Sequence, residues 1–238
     1  NNGCYVKLSS LPSYVSEAFV SVEDKRFYSH NGVDFIRIAG AFIDNIKTGK
    51  FKEGASTITQ QLVKNTLLSH DKTVERKIKE IKIAQKLERQ YSKKEILEKY
   101  LNVIYFGSNV YGLANASEYY FSKKATSLTV SESATLAGII NNPTLYNPYK
   151  NKENALKRRN YILKIMLDRR VITKDEYEKS VATSLNVTKA KANLNQYYNN
   201  VISALKQYGI DITTKDKISV TLPLDRELSN KVEKIIND

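Results

Sequence analysis

Four times along this chain a Ser or Thr stands three residues ahead of a Glu or Gln at the head of an apolar-periodic run: Thr57/Gln60, Ser92/Glu95, Thr129/Glu132 and Thr173/Glu176. In such a box each side chain satisfies the other's free backbone amide, so the pair marks where a helix begins. The spacing of apolar residues agrees. Val15, Ala18, Phe19 and Val22 recur with helical period behind Pro12, with Glu23 at the C-terminal end; Phe35, Ile38, Ala39, Phe42 and Ile46 predict a second helix closed near Gly49. Behind Ser92, Leu97, Tyr100, Leu101 and Ile104 predict a helix that ends at Gly107, and residues 155–170 predict another with Tyr161, Ile162, Ile165 and Met166 as its apolar side. The expected fold class is mainly α.

The texture changes near residue 186, where Asn- and Lys-rich sequence replaces this periodicity, and the chain divides there into segments 1–185 and 186–238. In the second segment residues 197–208 read as helix, Ile218, Val220 and Leu222 alternate like a strand, and residues 224–236 return to helix. So short an α/β segment buries little core by itself and reads as a linker leading into something larger.

Charge narrows the partners. Against 25 Asp+Glu stand 38 Lys+Arg, a net +13, which suits nucleic acid, an anionic membrane surface or a phosphorylated substrate equally. The lone Cys4 excludes an intrachain disulfide and a cysteine-based metal site. With His30 and His70 the only histidines and no strained Ser turn beside either, a Ser/His/Asp hydrolase is excluded too. No window approaches 18 apolar residues and there is no signal-peptide pattern, so any membrane anchor is expected upstream of the chain as given.

Three places carry groups suited to chemistry. In the first, Glu23-Asp24 is followed by Phe27 and His30; a helix C-terminus and a neighbouring like charge both oppose ionisation of Glu23, which raises a general base toward its working range. By itself, an acidic pair after a helix is usually surface decoration. In the second, a helix beginning at Thr57 aligns Thr57, Gln61 and Lys64 as a polar stripe, with Ile58 and Leu62 inward. Its free amides and ammonium group suit an anion, although a cap alone explains the Gly-Ala-Ser-Thr start. In the third, over residues 73–91, Val74, Ile78 and Ile81 form an apolar arc and Lys79, Lys82, Lys86 and Arg89 a basic face, with Glu80 one turn from Arg76 and Lys77. Ordinary salt bridging along a helix explains Glu80 as well as catalysis does.

Taken in order, these pieces resemble glycosyltransferase family 51, the peptidoglycan polymerases found alone or as the first half of class A penicillin-binding proteins. Residues 23–32, beginning Glu23-Asp24, resemble the family's first motif, and residues 54–61 with Lys64 and Asn65 the second. Residues 76–80 (Arg-Lys-Ile-Lys-Glu) resemble the third and residues 96–102, with Gly107 and Gly112 beyond, the fourth. The resemblance implies a lysozyme-like, two-lobed helical domain over 1–185, its smaller lobe dipping into the membrane, and makes 186–238 the linker and opening of a penicillin-binding transpeptidase domain. Two departures stand out. Val220-Thr221-Leu222-Pro223-Leu224-Asp225 replaces the family's usual Thr-Thr-Leu-Asp-Pro run, and Lys72 stands where many members have Arg. Lys47-Thr48-Gly49 precedes Ser69-His70-Asp71-Lys72 and Ser203-Ala204-Leu205-Lys206, an order that does not support transpeptidation.

The reaction the resemblance implies is inverting: the GlcNAc 4-hydroxyl of lipid II attacks the MurNAc anomeric carbon of a growing strand on undecaprenyl pyrophosphate, forming a β-1,4 link. Glu23 is then the base and Glu80 a second carboxylate that assists departure or orients Arg76. Lys64 and Arg76 neutralise pyrophosphate, with Thr57, Gln61 and Lys77 positioning it; Ser56, Gln60, Asn65 and Asn102 complete the substrate site, and Asp24, Phe27 and His30 shape it around Glu23. The implied partners are lipid II, the lipid-linked strand, membrane lipids and other cell-wall synthesis proteins, at the outer face of the cytoplasmic membrane behind an N-terminal transmembrane anchor. No cofactor is required and no metal ligand is assigned, although Mg²⁺ or Mn²⁺ fits the chemistry. A lysozyme-like muramidase or lytic transglycosylase with Glu23 as acid is the alternative; Lys64 and Arg76 favour the pyrophosphate leaving group. No reading motif supports nucleic-acid binding.

Overall fold

The computed structural model describes residues 5–40, 56–67 and 73–188. Its helices are α1 (Ser13–Glu23), α2 (Ile58–Leu67), α3 (Val74–Gln90), α4 (Lys93–Val103), α5 (Leu113–Phe121), α6 (Val130–Ile139), α7 (Lys152–Asp168) and α8 (Lys174–Ala182). Residues 35–40 are helical as well, and Asp34 caps them by accepting the Arg37 amide at 3.0 Å. Among the described residues there is no strand, only an antiparallel bridge between Tyr105 and Tyr111. The strand expected at 218–222, the residues Cys4, Phe42, Ile46, Gly49 and Lys72, and all of 189–238 lie outside the described residues.

The capping boxes close as reciprocal pairs. Ser92, Thr129 and Thr173 each accept the amide three residues on while Glu95, Glu132 and Glu176 return the bond. At the head of α2 the Thr57 amide donates to Gln60 Oε1 at 3.0 Å and the Gln60 amide to Thr57 Oγ1 at 3.1 Å. Each cap contributes about 1 kcal/mol and fixes a helix start.

Helix α6 is the hub. Every residue from Ser131 to Ile139 is buried, and α1 and α7 pack against it, while α2 lies between α3 and α4. On α1, Val15, Ala18, Phe19 and Val20 enter the core, so its last residue, Glu23, is delivered to the edge of the buried interior.

Arg159 of α7 is buried as well. Its guanidinium donates to Ser131 Oγ, to the carbonyls of Val181 and Thr183, and to Asn160 Oδ1, which ties α8 to α6 and α7. Burial without a carboxylate partner pulls its pKa down, and the carbonyls at the C-terminal end of α8 offset that cost.

Three apolar faces turn out differently from their periodicity. Val74 is 77% exposed and Ile78 48%, and the residues that α3 buries are Glu80 and Ala84. A helical period shows which residues share a face, but not whether a neighbour covers it, and α2 covers the adjoining face of α3. Phe35 and Ile36 are likewise more than 60% exposed. Tyr161 is exposed on α7 because its ring serves a cation: the Arg158 guanidinium lies 5.4 Å from it. Helix α4 also stops earlier than expected, at Val103, since Ile104 is extended (ψ 144) and Gly107 belongs to the following turn with φ +82.

Candidate active site

Two carboxylate clusters meet around the start of α2. The first is built on Glu23, which ends α1. There the chain turns, and Asp24 adopts φ −152 and ψ 76 while its amide closes the helix on Val20 O. Glu23 remains partly exposed. Its Oε2 accepts Gln61 Nε2 at 2.8 Å, and Gln61 Oε1 accepts the phenol of Tyr100 at 3.2 Å. The Glu23 carbonyl also accepts Arg37 Nη1.

Glu23 is held above the ordinary carboxylate range, and burial is the main reason. The hydrogen bond from Gln61 and the fields of Arg158 and Arg37 act in the opposite direction, and Asp24 adds the smallest contribution upward. Burial thus replaces the helix end and Asp24, the causes expected from the sequence, as the main source of the rise. Asp24 itself is fully buried, within 2.9 Å of His30 Nε2 and accepting the Ile58 amide at 3.0 Å.

That last bond engages one of the amides expected to be free at the start of α2. Asp24 occupies the Ile58 amide, and the amides of Thr57 and Gln60 are taken by the capping box. The Thr57 hydroxyl donates to the carbonyl of Gly32 at 2.6 Å, and both Thr57 and Gln60 are buried. The Thr57 hydroxyl and the Gln60 carbonyl oxygen thus bind parts of the fold together. Gly32 earns its place: at φ +86, a Cβ there would meet the backbone of Ala84 on α3 at 2.8 Å.

The second cluster centres on Glu80. It is 1% exposed, and its oxygens hold Arg76 Nη1 at 3.1 Å and Lys77 Nζ. Lys77 Nζ reaches Ser56 Oγ at 2.9 Å, which joins this cluster to the residue before Thr57. Exposed salt bridging thus gives way to a buried anion that holds two cations in place. Lys64 and Asn65 lie exposed on α2, and Lys64 has no ion pair among the described residues. Lys64 shares the face of Gln61 one turn away.

Phe27 is buried under Lys93, whose Nζ is 4.5 Å from the ring centre, and it packs edge-on to His30. Asn102 does not join either cluster. Its Oδ1 accepts the Val6 amide at 2.8 Å and its Nδ2 donates to the carbonyls of Val6 and Glu98, while Glu98 accepts Tyr5 and the Leu8 amide. The fourth motif therefore fastens the N-terminal segment to α4, and Gly112 permits it, since a Cβ at φ +79 would meet the Asn102 carbonyl at 2.7 Å. A cavity of about 610 Å³ bordered by Arg26, His30, Phe35, Glu88 and Arg89 has neither Glu23 nor Gln61 in its lining.

Sequence reasoning had not singled out Tyr100, Arg37 or Arg158 as site residues. Tyr100 stood in an apolar run and reads as core. Arg37 and Arg158 lie in helical stretches where a charge is unremarked, and only the packing brings them to Glu23.

A family profile described as Transglycosylase matches residues 1–167. Penicillin-binding protein 1A/1B of Bacillus subtilis (strain 168) is 41% identical over 244 residues, covering 98% of this chain and 27% of that protein. Penicillin-binding protein 1A of Aquifex aeolicus (strain VF5) is 39% identical over 237 residues, covering 98% of this chain and 32% of that protein. The chain thus spans a third or less of the length of these relatives. Penicillin-binding protein 1A of Haemophilus influenzae shares the fold, with a TM-score of 0.52 and 24% identity over 87% of this chain and 22% of that one. With a profile match over most of its length and the four motifs in order, the chain belongs to the transglycosylase family, glycosyltransferase family 51.

Proposed function

We propose that this chain polymerises lipid II into β-1,4-linked glycan strands, releasing undecaprenyl pyrophosphate, as the glycosyltransferase part of a class A penicillin-binding protein. The observation that carries the reading is Glu23, a carboxylate held above its usual range at the end of α1 and gripped by Gln61 of the second motif. In the reaction Glu23 takes the proton of the acceptor GlcNAc 4-hydroxyl as that oxygen attacks the donor anomeric carbon. The bond from that carbon to pyrophosphate breaks on the opposite face, which inverts the centre.

The departing pyrophosphate needs cations aimed at its developing charge. Lys64, Arg76 and Lys77 supply them, and Glu80 holds the latter two in place rather than giving up a proton. Asp24, His30 and Thr57 keep α2 seated against the first motif so that Gln61 meets Glu23. Among the described residues no group of three or more His, Cys, Asp or Glu side chains is placed to hold a metal ion. The reading requires no cofactor, and Mg²⁺ or Mn²⁺ fits it as a companion of the pyrophosphate.

The substrate is lipid-linked, so the chain works at a membrane surface. The exposed Phe35 and Ile36 and the exposed lysines 79, 82 and 86 of α3 suit an anionic bilayer. Among the described residues no helix is long and apolar enough to cross a membrane.

The test is incubation with labelled lipid II in detergent and separation of products by size. A ladder of polymer is expected from the parent, and loss of general base in Glu23→Gln should slow it roughly 10²–10⁴-fold. Polymer from Glu23→Gln at the parent rate would overturn the reading, and shortened glycan strands from a preformed polymer would favour lytic cleavage instead.

A further inference from the structure

We infer that Tyr100 is a positioning residue for the base: its phenol locks the Gln61 amide in the one orientation that stabilises ionised Glu23. The inference rests on the reading of Glu23 as general base. Its ground is the relay of two hydrogen bonds, Tyr100 Oη to Gln61 Oε1 at 3.2 Å and Gln61 Nε2 to Glu23 Oε2 at 2.8 Å.

A glutamine amide has a donor end and an acceptor end, and the two are nearly the same shape. Turned one way, Gln61 donates to the Glu23 carboxylate and favours its charged form. Turned the other, it presents a carbonyl that only a protonated Glu23 can satisfy, which makes the base weaker in supply at a given pH. Nothing in the size of the side chain chooses between these states. The hydroxyl of Tyr100 does: Gln61 Oε1 is its acceptor among the described residues, and although the phenol oxygen could accept from a reversed Nε2, reversal would leave the buried O–H proton without a partner, so the amide that keeps Oε1 toward Tyr100 and Nε2 toward Glu23 is favoured.

Tyr100 is suited to that task. It is fully buried among Ile96, Leu97 and Leu101 of α4, so its ring cannot swing away, and α4 packs against α2, which carries Gln61. Burial, with the charges of Glu23 and Asp24 nearby, raises its pKa well above the ordinary phenol value, so the hydroxyl keeps its proton across any working pH. It therefore remains a donor while Glu23 cycles between its two forms.

The test is the pH dependence of kcat/KM for lipid II polymerisation in parent, Tyr100→Phe, Gln61→Ala and the double variant, with Glu23→Gln alongside. Tyr100→Phe keeps the ring and the packing. Freed from its lock, Gln61 spends part of its time reversed, and the acid limb moves up by about one pH unit, the scale of one charge-assisted hydrogen bond. Activity on that limb falls about tenfold and recovers at higher pH. In the Gln61→Ala background, removing the Tyr100 hydroxyl moves the limb no further.

An unshifted limb in Tyr100→Phe, or a shift of equal size with Gln61 absent, would overturn the lock, the latter pointing to a purely structural tyrosine. Inactive Glu23→Gln together with either result would leave the base in place and remove only the lock. Active Glu23→Gln would remove the base and the lock together.

Discussion

The carboxylate of Asp24 accepts the backbone amide of Ile58 at 3.0 Å, joining residues 34 apart, and the same carboxylate lies within 2.9 Å of His30 Nε2. One side chain thus caps α2 and holds the first motif against it. Asp24→Ala would leave a buried amide and a buried imidazole nitrogen without their partner, with an expected cost of about 3 kcal/mol. Asp24→Asn keeps an acceptor for the amide and should lose about half as much. Urea unfolding measures both, and an Asp24→Ala midpoint equal to the parent's would rule out this tie.

Glu80 separates a positioning role from proton donation. If it serves to hold Arg76 and Lys77, Glu80→Gln misplaces both cations and lowers kcat/KM by roughly 10–100-fold, by the same factor at every pH. A carboxylic acid that protonates the leaving group would instead impose an alkaline limb, and that limb would vanish in the variant. The expected result is a parallel drop of the whole profile. Disappearance of the alkaline limb would transfer Glu80 to the chemical step.

Asn102 should behave as a structural residue. Its three hydrogen bonds, two to Val6 and one to the Glu98 carbonyl, hold the N-terminal segment on α4. Asn102→Ala is expected to lose about 2 kcal/mol of stability while the folded fraction keeps the parent kcat. Unfolding curves and initial rates at a temperature well below the transition test the two halves. A kcat that falls without loss of stability would return Asn102 to the substrate site.

What could be read without coordinates follows from how local each signal is. A capping box concerns four consecutive residues, and Thr57, Ser92, Thr129 and Thr173 all start helices where expected. The pairing of Glu80 with Arg76 and Lys77 was visible because one helical turn joins them. Its burial was not, since that depends on packing across to α2. Glu23 with Gln61 spans 38 residues and Gln61 with Tyr100 spans 39, and no periodicity reports such a distance. Motif order suggested that Glu23 and Gln61 belong to one site, but it gave Gln61 to the pyrophosphate and left Tyr100 in the core. The exposed Val74, Ile78 and Phe35 show the converse, since an apolar stripe says nothing about what lies opposite it.

The raised pKa of Glu23 has a thermodynamic counterpart. Burial makes the native state hold the Glu23 proton more tightly than the unfolded chain does, so folding is favoured by that proton at low pH and loses the benefit as pH rises through the folded pKa. At neutral pH the native state therefore carries an ionised carboxylate at a net cost, even with Gln61, Arg37 and Arg158 drawing the pKa back down. Glu23→Gln removes that cost and remains able to meet Gln61. It should slow polymerisation roughly 10²–10⁴-fold and yet be more stable than the parent at pH 7. The stability gap should shrink as pH falls through the folded pKa and settle to a pH-independent value below the unfolded one. Unfolding free energies of the two proteins across pH 3–8, near the range in which ordinary and raised carboxylates titrate, provide the comparison. A parent whose stability falls relative to Glu23→Gln as the solution is acidified would reverse the sign and show that the site stabilises the charged base.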